Sequence, residues 1–423
     1  MISRRSSRKA ETVAVLDIGS NKVVCLIGQE EPNFGVKLIG SGFGVSAGIK
    51  AGAVVDMGQV EHGIRTAVEK AERAAGVAVQ SVIVNVGTRS LRSRHLTVQT
   101  EFASGEVADR DLKRVLNSSL AELAQPDHVI LHAIPMSWSV DDAKDIHDPR
   151  GMFGSSLGVD MHFVLSDVGP LRNLAHCVER CHLQISSVSV SPYAAGLSVL
   201  TDDEKDLGAT VIDMGGGVTT VAVFRDNTLV YVDSLPIGAR TLTNDIARGL
   251  MTPTEAAERI KMIYGSALHG SDDDQVMIPC PPMGAQDTLH NEPRSLLVDI
   301  IRARIEEMFE ILRDRLQEAG LDSYAGRRVV VTGGGAQLNG IREMAEYVFN
   351  KRVRIGKPHG ILGLDETLSG PDFAVATGLL KQQFMPRNEA IQGPPDLSGR
   401  KYYQKRYNGG GFGRTLKWLK ENF

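Results

Sequence analysis

Two carboxylates occur in nearly the same setting 196 residues apart: Asp17 in TVAVLDIGSNKVVCLIG (12–28) and Asp213 in ATVIDMGGGVTTVAVF (209–224). In each, an apolar run reaches the acid, an apolar residue and a glycine follow, a short turn of small or polar residues intervenes, and a second apolar run resumes. Glycine at such a turn permits positive φ and lets backbone N–H groups converge on an anion with no Cβ in the way. An acid there repels phosphate directly, so its chemistry is to hold a divalent cation, Mg2+, mainly through the cation's waters. Two opposed hairpins of this kind would clamp a polyphosphate. Taken singly, each is equally well a tight hairpin whose aspartate favours a turn; the repetition argues for the clamp.

A third stretch, VVVTGGGAQLNG (329–340), runs a β-branched strand into Gly333, Gly334 and Gly335 and then into the helical pattern IREMAEYVF. Bare backbone there would let a flat base or ribose lie against it, although glycine at a strand-to-helix turn can serve φ alone. In MTPTEAAERIKMIYG (251–265), Thr252 is expected to cap a helix whose first residue is Pro253. Glu258 and Lys261 share one face of that helix, which by itself describes a solvated ion pair.

These residues need elements to position them. The paired hairpins predict two lobes of like design facing each other. The run 295–320 sets Leu297, Ile300, Ile301, Ile305, Met308, Ile311, Leu312 and Leu316 at helical spacing, closes at Gly320, and predicts one wall of the second lobe. His176, Cys177, Cys181 and His182 have the residue types of a zinc site. Leu171, Leu174, Cys177, Val178 and Cys181 also form the apolar face of an amphipathic helix, which is the expected reading. The acidic, proline-rich segment 272–293 reads as a mobile loop. From 385 to 411 the chain is Pro, Gly and polar rich without periodicity, a flexible linker. In FGRTLKWLKENF, Phe412, Leu416, Leu419 and Phe423 share one helical face, flanked by Arg414, Lys417 and Lys420, with Trp418 to one side. This predicts a helix lying in a membrane interface rather than one docked on its own core.

At 423 residues and 42% hydrophobic composition the chain can bury two or three domains. It has neither an apolar run of roughly 18 residues nor a signal-like leader, and its four scattered cysteines make no disulfide framework, so a cytosolic setting is expected. Residues 1–10 carry +4 and residues 400–423 carry +6; taking both from the net −4 leaves −14 for the body. Basic ends suit an anionic surface, and an acidic body argues against nucleic acid as a partner.

Together these stretches resemble the actin-like ATPase superfamily and, within it, the FtsA family of bacterial cell-division proteins, over about residues 10–384 and again at the C-terminus. The most family-specific part is VILHAIPMSWSVDD with the 147–164 region, which is similar to the extra subdomain FtsA carries and actin lacks. The resemblance implies an α/β, actin-like two-lobed ATPase fold with duplicated mixed-sheet lobes. The first lobe would take residues 10–86, 167–200 and 366–384, the inserted subdomain 87–166, and the second lobe 201–365 with a helical subdomain at 251–325. ATP and Mg2+ would meet Asp17, Gly19, Ser20, Asn21 and Lys22 from one lobe and Asp213, Gly215, Gly216, Gly217, Thr219 and Thr220 from the other. Glu258, Lys261 and Gly333–Gly335 would border the nucleoside, and the two aspartates would orient the metal. Arg304 would receive the acidic C-terminal peptide of the tubulin-like FtsZ. The family's role is to polymerise on the cytoplasmic face of the inner membrane at the septum, binding anionic lipid, anchoring the FtsZ ring and helping recruit later division proteins. Where superfamily relatives place Glu or Gln before the proline of the connecting helix, this chain has Ser191, which is no general base, so at most slow ATP hydrolysis is expected. Rival readings are a sugar kinase or phosphohydrolase on the same scaffold, or a pilus-assembly adaptor; the basic amphipathic tail favours the division protein.

Overall fold

The computed structural model describes residues 12–31, 35–123, 127–284, 289–321, 328–385, 389–391 and 395. The first lobe opens with β1 (Thr12–Ile18), β2 (Lys22–Glu31) and β3 (Gly35–Val45), an antiparallel meander, followed by the short pair β4 (Ile49–Lys50) and β5 (Ala53–Val54). Helix α1 (Met57–Ala75) is capped by Asp56, whose carboxylate accepts from Gln59 N, and closes at Gly76 with an N–H bond back to Glu72 O. Strand β6 (Ser81–Val86) then returns parallel to β1.

The insert follows: β7 (Arg92–Glu106), α2 (Asp109–Glu122), β8 (His128–Val140), β9 (Ala143–Ile146) and β10 (Phe153–Asp167). The chain re-enters the first lobe as α3 (Val168–Arg180), β11 (Gln184–Val190) parallel to β6, and α4 (Ser191–Val199). After α5 (Asp202–Leu207) the second lobe repeats the plan. β12 (Ala209–Met214), β13 (Thr219–Arg225) and β14 (Thr228–Leu235) form a meander; α6 (Ala239–Gly249), α7 (Thr254–Tyr264), β15 (Met277–Cys280), β16 (His290–Pro293) and α8 (Arg294–Glu318) follow. β17 (Arg328–Thr332) lies parallel to β12, then come α9 (Ile341–Phe349), β18 (Arg352–Ile355) parallel to β17, and α10 (Ala374–Gln383).

The duplication is visible in strand order. The first lobe reads β3-β2-β1-β6-β11, and the second β14-β13-β12-β17-β18, a meander plus two parallel strands each time. In both lobes the aspartate is the penultimate residue of the strand where meander meets parallel addition, the switch point where open α/β sheets place ligands. α4 and α10 lie between the sheets, and α4 is buried on nearly every side, which is why it is apolar all round rather than amphipathic. Val15 and Leu26 of one sheet and Val211 and Phe224 of the other share this core.

The insert joins the second lobe in one nine-stranded sheet, through the β14–β7 edge pairing Asp233↔Arg92. Side chains reinforce this short contact: Nε2 of His95 donates to Val230 O and Nδ1 of His162 to Leu229 O, each at 2.8 Å. Burial, then the nearby His95, pushes the His162 pKa down to about 3, so this buried ring stays neutral.

Several local expectations change. Thr252 does not cap α7: its hydroxyl donates to Pro281 O at 2.8 Å, and the helix begins after Pro253, at Thr254. The 272–293 segment is not simply a loop. It contains the β15–β16 hairpin, pinned by buried Asp273, which pairs with Arg294 and accepts from Gly270 N. His176 and His182 are exposed while Cys177 faces the core, so the four do not converge; among the described residues no cluster of three or more His, Cys, Asp or Glu could hold a metal. Within the linker, Glu389 is buried and paired with His132 at 2.9 Å, and Ala390 N donates to Ala133 O, so 389–391 form a strap across the insert. The tail helix expected at 412–423 lies outside the described residues. Among the described residues no helix is long and apolar enough to cross a membrane.

Candidate functional site

Both hairpin turns and the Gly333 loop line one cleft of about 740 Å3 between the lobes. β1 delivers Asp17 and its turn delivers Gly19, Ser20, Asn21 and Lys22; β12 delivers Asp213 and its turn Gly215, Gly216, Gly217 and, across the hairpin, Thr220. Glu258, Lys261, Arg304 and Gly333–Gly335 border the same space.

None of Gly215, Gly216 and Gly217 takes a positive φ, and Gly215 and Gly217 serve close approach. A Cβ on Gly217 would stand 2.5 Å from Oγ of Ser20 and 3.1 Å from Ala51 N, so the second turn abuts the first through bare backbone. Gly216 instead has ordinary room, its Cβ position lying 3.5 Å from Asn21 and 3.6 Å from Ser20. Gly333 does take a left-handed φ of 84°, and a Cβ there would strike Oδ1 of Asp213 at 2.3 Å. The third loop thus yields space to the second carboxylate.

Burial, then the charge of Asp213, pushes the Asp17 carboxyl up to about 7, with Lys22 pulling the other way; burial alone takes Asp213 to about 6. Two desolvated carboxylates that raise one another's energy when ionised fit a divalent cation between them. Two carboxylates make no all-protein cage, which suits Mg2+ keeping waters and phosphate oxygens in its shell. The hydroxyl of Thr220, buried and without a hydrogen-bond partner in the structure, is a further free polar group at this spot.

Other predicted residues sit differently from expectation. Thr219 does not line the cleft: its hydroxyl donates to Ile237 O at 2.8 Å and faces Sδ of Met308 in the core, so it supports the turn from beneath. Glu258 and Lys261 are not merely a solvated pair. Nζ of Lys261 bonds Glu258 at 2.7 Å and the Thr243 hydroxyl at 2.8 Å, and Thr243 donates to Glu258, tying α7 to α6. Lys22 pairs with Asp372, and its ammonium lies 3.4 Å from the centroid of the Phe373 ring. Arg304 pairs with Asp245 at 2.6 Å and with Glu307. Ser191 lies in the cleft, accepting from Nδ2 of Asn85 at 3.1 Å, while Oδ1 of Asn85 accepts from Ile18 N.

The spacing of motifs does not reveal Asn85, Arg240 or Asp372, all of which line the cleft. Asn85 at the end of β6 could have been sought as a lone polar residue closing an apolar strand; Arg240 and Asp372 carry no such local signal.

Two lobes built on one duplicated sheet, each presenting an aspartate-bearing hairpin to a shared cleft, define an actin-like ATPase fold. Solved structures agree: PilM from a PilM-PilN type IV pilus biogenesis complex superposes with TM-score 0.64 at 16% identity, covering 88% of this chain and 99% of that one. MreB5 of Spiroplasma citri bound to ADP gives 0.52 at 12%, covering 87% and 94%. The sequence matches the family described as "Cell division protein FtsA" over residues 210–378 and the "SHS2 domain inserted in FTSA" over 88–165. Proteins named cell division protein FtsA are 40% identical in Rhizobium meliloti (strain 1021), over 99% of this chain and 96% of that protein, and 33% in Bacillus subtilis (strain 168), over 90% and 85%. The chain belongs to the FtsA family of actin-like cell division proteins.

Proposed function

We propose that this chain binds Mg–ATP in the cleft and uses it as an assembly ligand, polymerising on the cytoplasmic face of the inner membrane to anchor the FtsZ ring. The observation that supports this best is the convergence of Asp17 and Asp213, from equivalent hairpins of two lobes, on one glycine-walled space. A bound Mg2+ would supply charge compensation for the triphosphate. The chain's own groups do the rest: the amides of Gly19 and Gly215 close their turns on Lys22 O and Val218 O, the turn amides after them at Ser20–Asn21 and Gly216–Gly217 would offer donors to phosphate, Lys22 adds a cation, and the aspartates orient the metal's waters. Glu258 and Lys261, already braced by Thr243, wall the nucleoside side together with Gly334 and Gly335.

Ser191, held by Asn85, stands where a water-activating acid would otherwise be sought, so slow turnover is the expectation. Arg304 would meet the acidic peptide of FtsZ by exchanging Asp245 or Glu307 for it, which makes that docking competitive and salt-sensitive. The tail at 412–423 would hold anionic lipid. Co-sedimentation with anionic liposomes, run with and without FtsZ and with and without Mg–ATP, tests the reading. Nucleotide-dependent recovery of both proteins in the pellet is expected, and FtsZ remaining in the supernatant in every arm overturns it.

A further inference from the structure

Arg240, the second residue of α6, belongs to none of the three glycine loops yet lines the cleft. Its backbone is anchored in the second lobe, because its N–H donates to Gly216 O at 2.8 Å and the preceding Ala239 N donates to Gly215 O at 3.0 Å. Its side chain goes the other way. Nη1 donates to Ile49 O at 3.0 Å and to Ser20 O at 3.4 Å, both in the first lobe. Ser20 belongs to the first hairpin turn, and Ile49 lies in β4, whose connection to β5 packs at Ala51 against Gly217. Among the described residues no carboxylate lies in ion-pair distance of Arg240. Among those residues its charge is met by two carbonyl dipoles, beside the space assigned to phosphate.

We propose that Arg240 is a cross-lobe latch, tying the second phosphate loop to the first lobe so that cleft closure and retention of a nucleoside triphosphate are coupled. The proposal deepens the reading of the cleft as a nucleotide site and rests on it. A guanidinium carries several donors in a rigid plane, so one group can hold two carbonyls and still present N–H to an anion. Release of a ligand clasped by two lobes requires them to part, and parting breaks both carbonyl bonds. Capture by the open form does not need them. The latch thus acts on the dissociation rate and positions the loops, without contributing to the chemical step.

The test uses the full chain and a fluorescent ATP analogue in Mg2+, with stopped-flow association and chase-induced dissociation, plus hydrogen exchange of residues 49–54. Arg240→Ala is expected to raise the dissociation rate about tenfold, the loss of one or two hydrogen bonds to a charged group, with the association rate unchanged or faster. Exchange at 49–54 in the nucleotide-bound protein should rise with it. Arg240→Lys, which retains the charge, should fall between, and Arg248→Ala at the far end of α6 should match the parent. Dissociation within twofold of the parent together with unchanged exchange overturns the latch alone. If the parent protein fails to bind the analogue in Mg2+, both the latch and the nucleotide reading fall.

Discussion

Single residues in this cleft give up stability in favour of a ligand. Folding takes Asp17 from 3.8 to about 7 and Asp213 from 3.8 to about 6. The folded chain therefore binds more protons than the unfolded one across this window, and the contribution of both groups to stability falls as pH rises from roughly 4 to 7. Asp213→Asn is expected to raise the melting temperature of the nucleotide-free protein at pH 7.5 by roughly a few degrees while abolishing Mg-dependent nucleotide binding. Thermal melts with titration calorimetry check it, and a destabilised variant at that pH speaks against the assignment. Lys22 poses the opposite case, since Asp372 holds the ammonium that phosphate would need. Asp372→Asn removes that competitor and should tighten ATP binding roughly two- to fivefold, the worth of a partly exposed ion pair; unchanged or weaker affinity would show that Lys22 does not reach phosphate. The glycines separate likewise: Gly217→Ala should lower the melting temperature because its Cβ meets Ser20, whereas Gly216→Ala should leave stability intact and weaken nucleotide by occupying the gap between the turns.

At the scale of elements, the strap 389–391 shows how a segment of unstructured composition acquires a fixed place. Glu389 accepts from Nδ1–H of His132, and Nε2 of His132 in turn accepts from Val190 N, the residue that caps α4. Tautomer and orientation of the buried ring are set by those two bonds together. Glu389→Ala would strand a buried donor, a penalty of about 1–3 kcal/mol, and release the strap from the insert. Denaturant melts should show a lower midpoint, with faster amide exchange at Ala390; equal midpoints would mean that the strap carries no stability. The displaced cap of α7 and the β15–β16 hairpin have the same origin, a polar side chain satisfied by an element distant in sequence: Thr252 by Pro281, and Asp273 by Arg294.

For the whole molecule, residues 412–423 are predicted to set where the chain resides. Burying a Leu or Phe completely is worth about 1.5–3 kcal/mol, an interfacial helix buries each only in part, and each Lys or Arg near anionic lipid adds about 1 kcal/mol. One tail then binds weakly, and many tails on one polymer bind firmly through effective concentration. Deleting 412–423 should release the protein from anionic liposomes while leaving ATP affinity intact; sedimentation equal to that of the full chain defeats the idea. Much of this was legible in the sequence by itself: the two acid-bearing hairpins, the glycine run after VVVT, the helix at 295–320 and the implied duplication. All are patterns among chain neighbours, where strand period, helical period and turn chemistry act over a few residues. Only tertiary structure decided which side chains meet across the cleft. Lys22 finds Asp372 350 residues away, Arg240 finds Ser20 220 away, and Glu389 finds His132 257 away. It also turned Thr219 into the core and set Gly217 rather than Gly216 against the first turn. The reason is physical: a side chain's partner is chosen by the packing of two lobes and an insert, and nothing in its own stretch of sequence records which distant carbonyl or carboxylate that packing will bring to it.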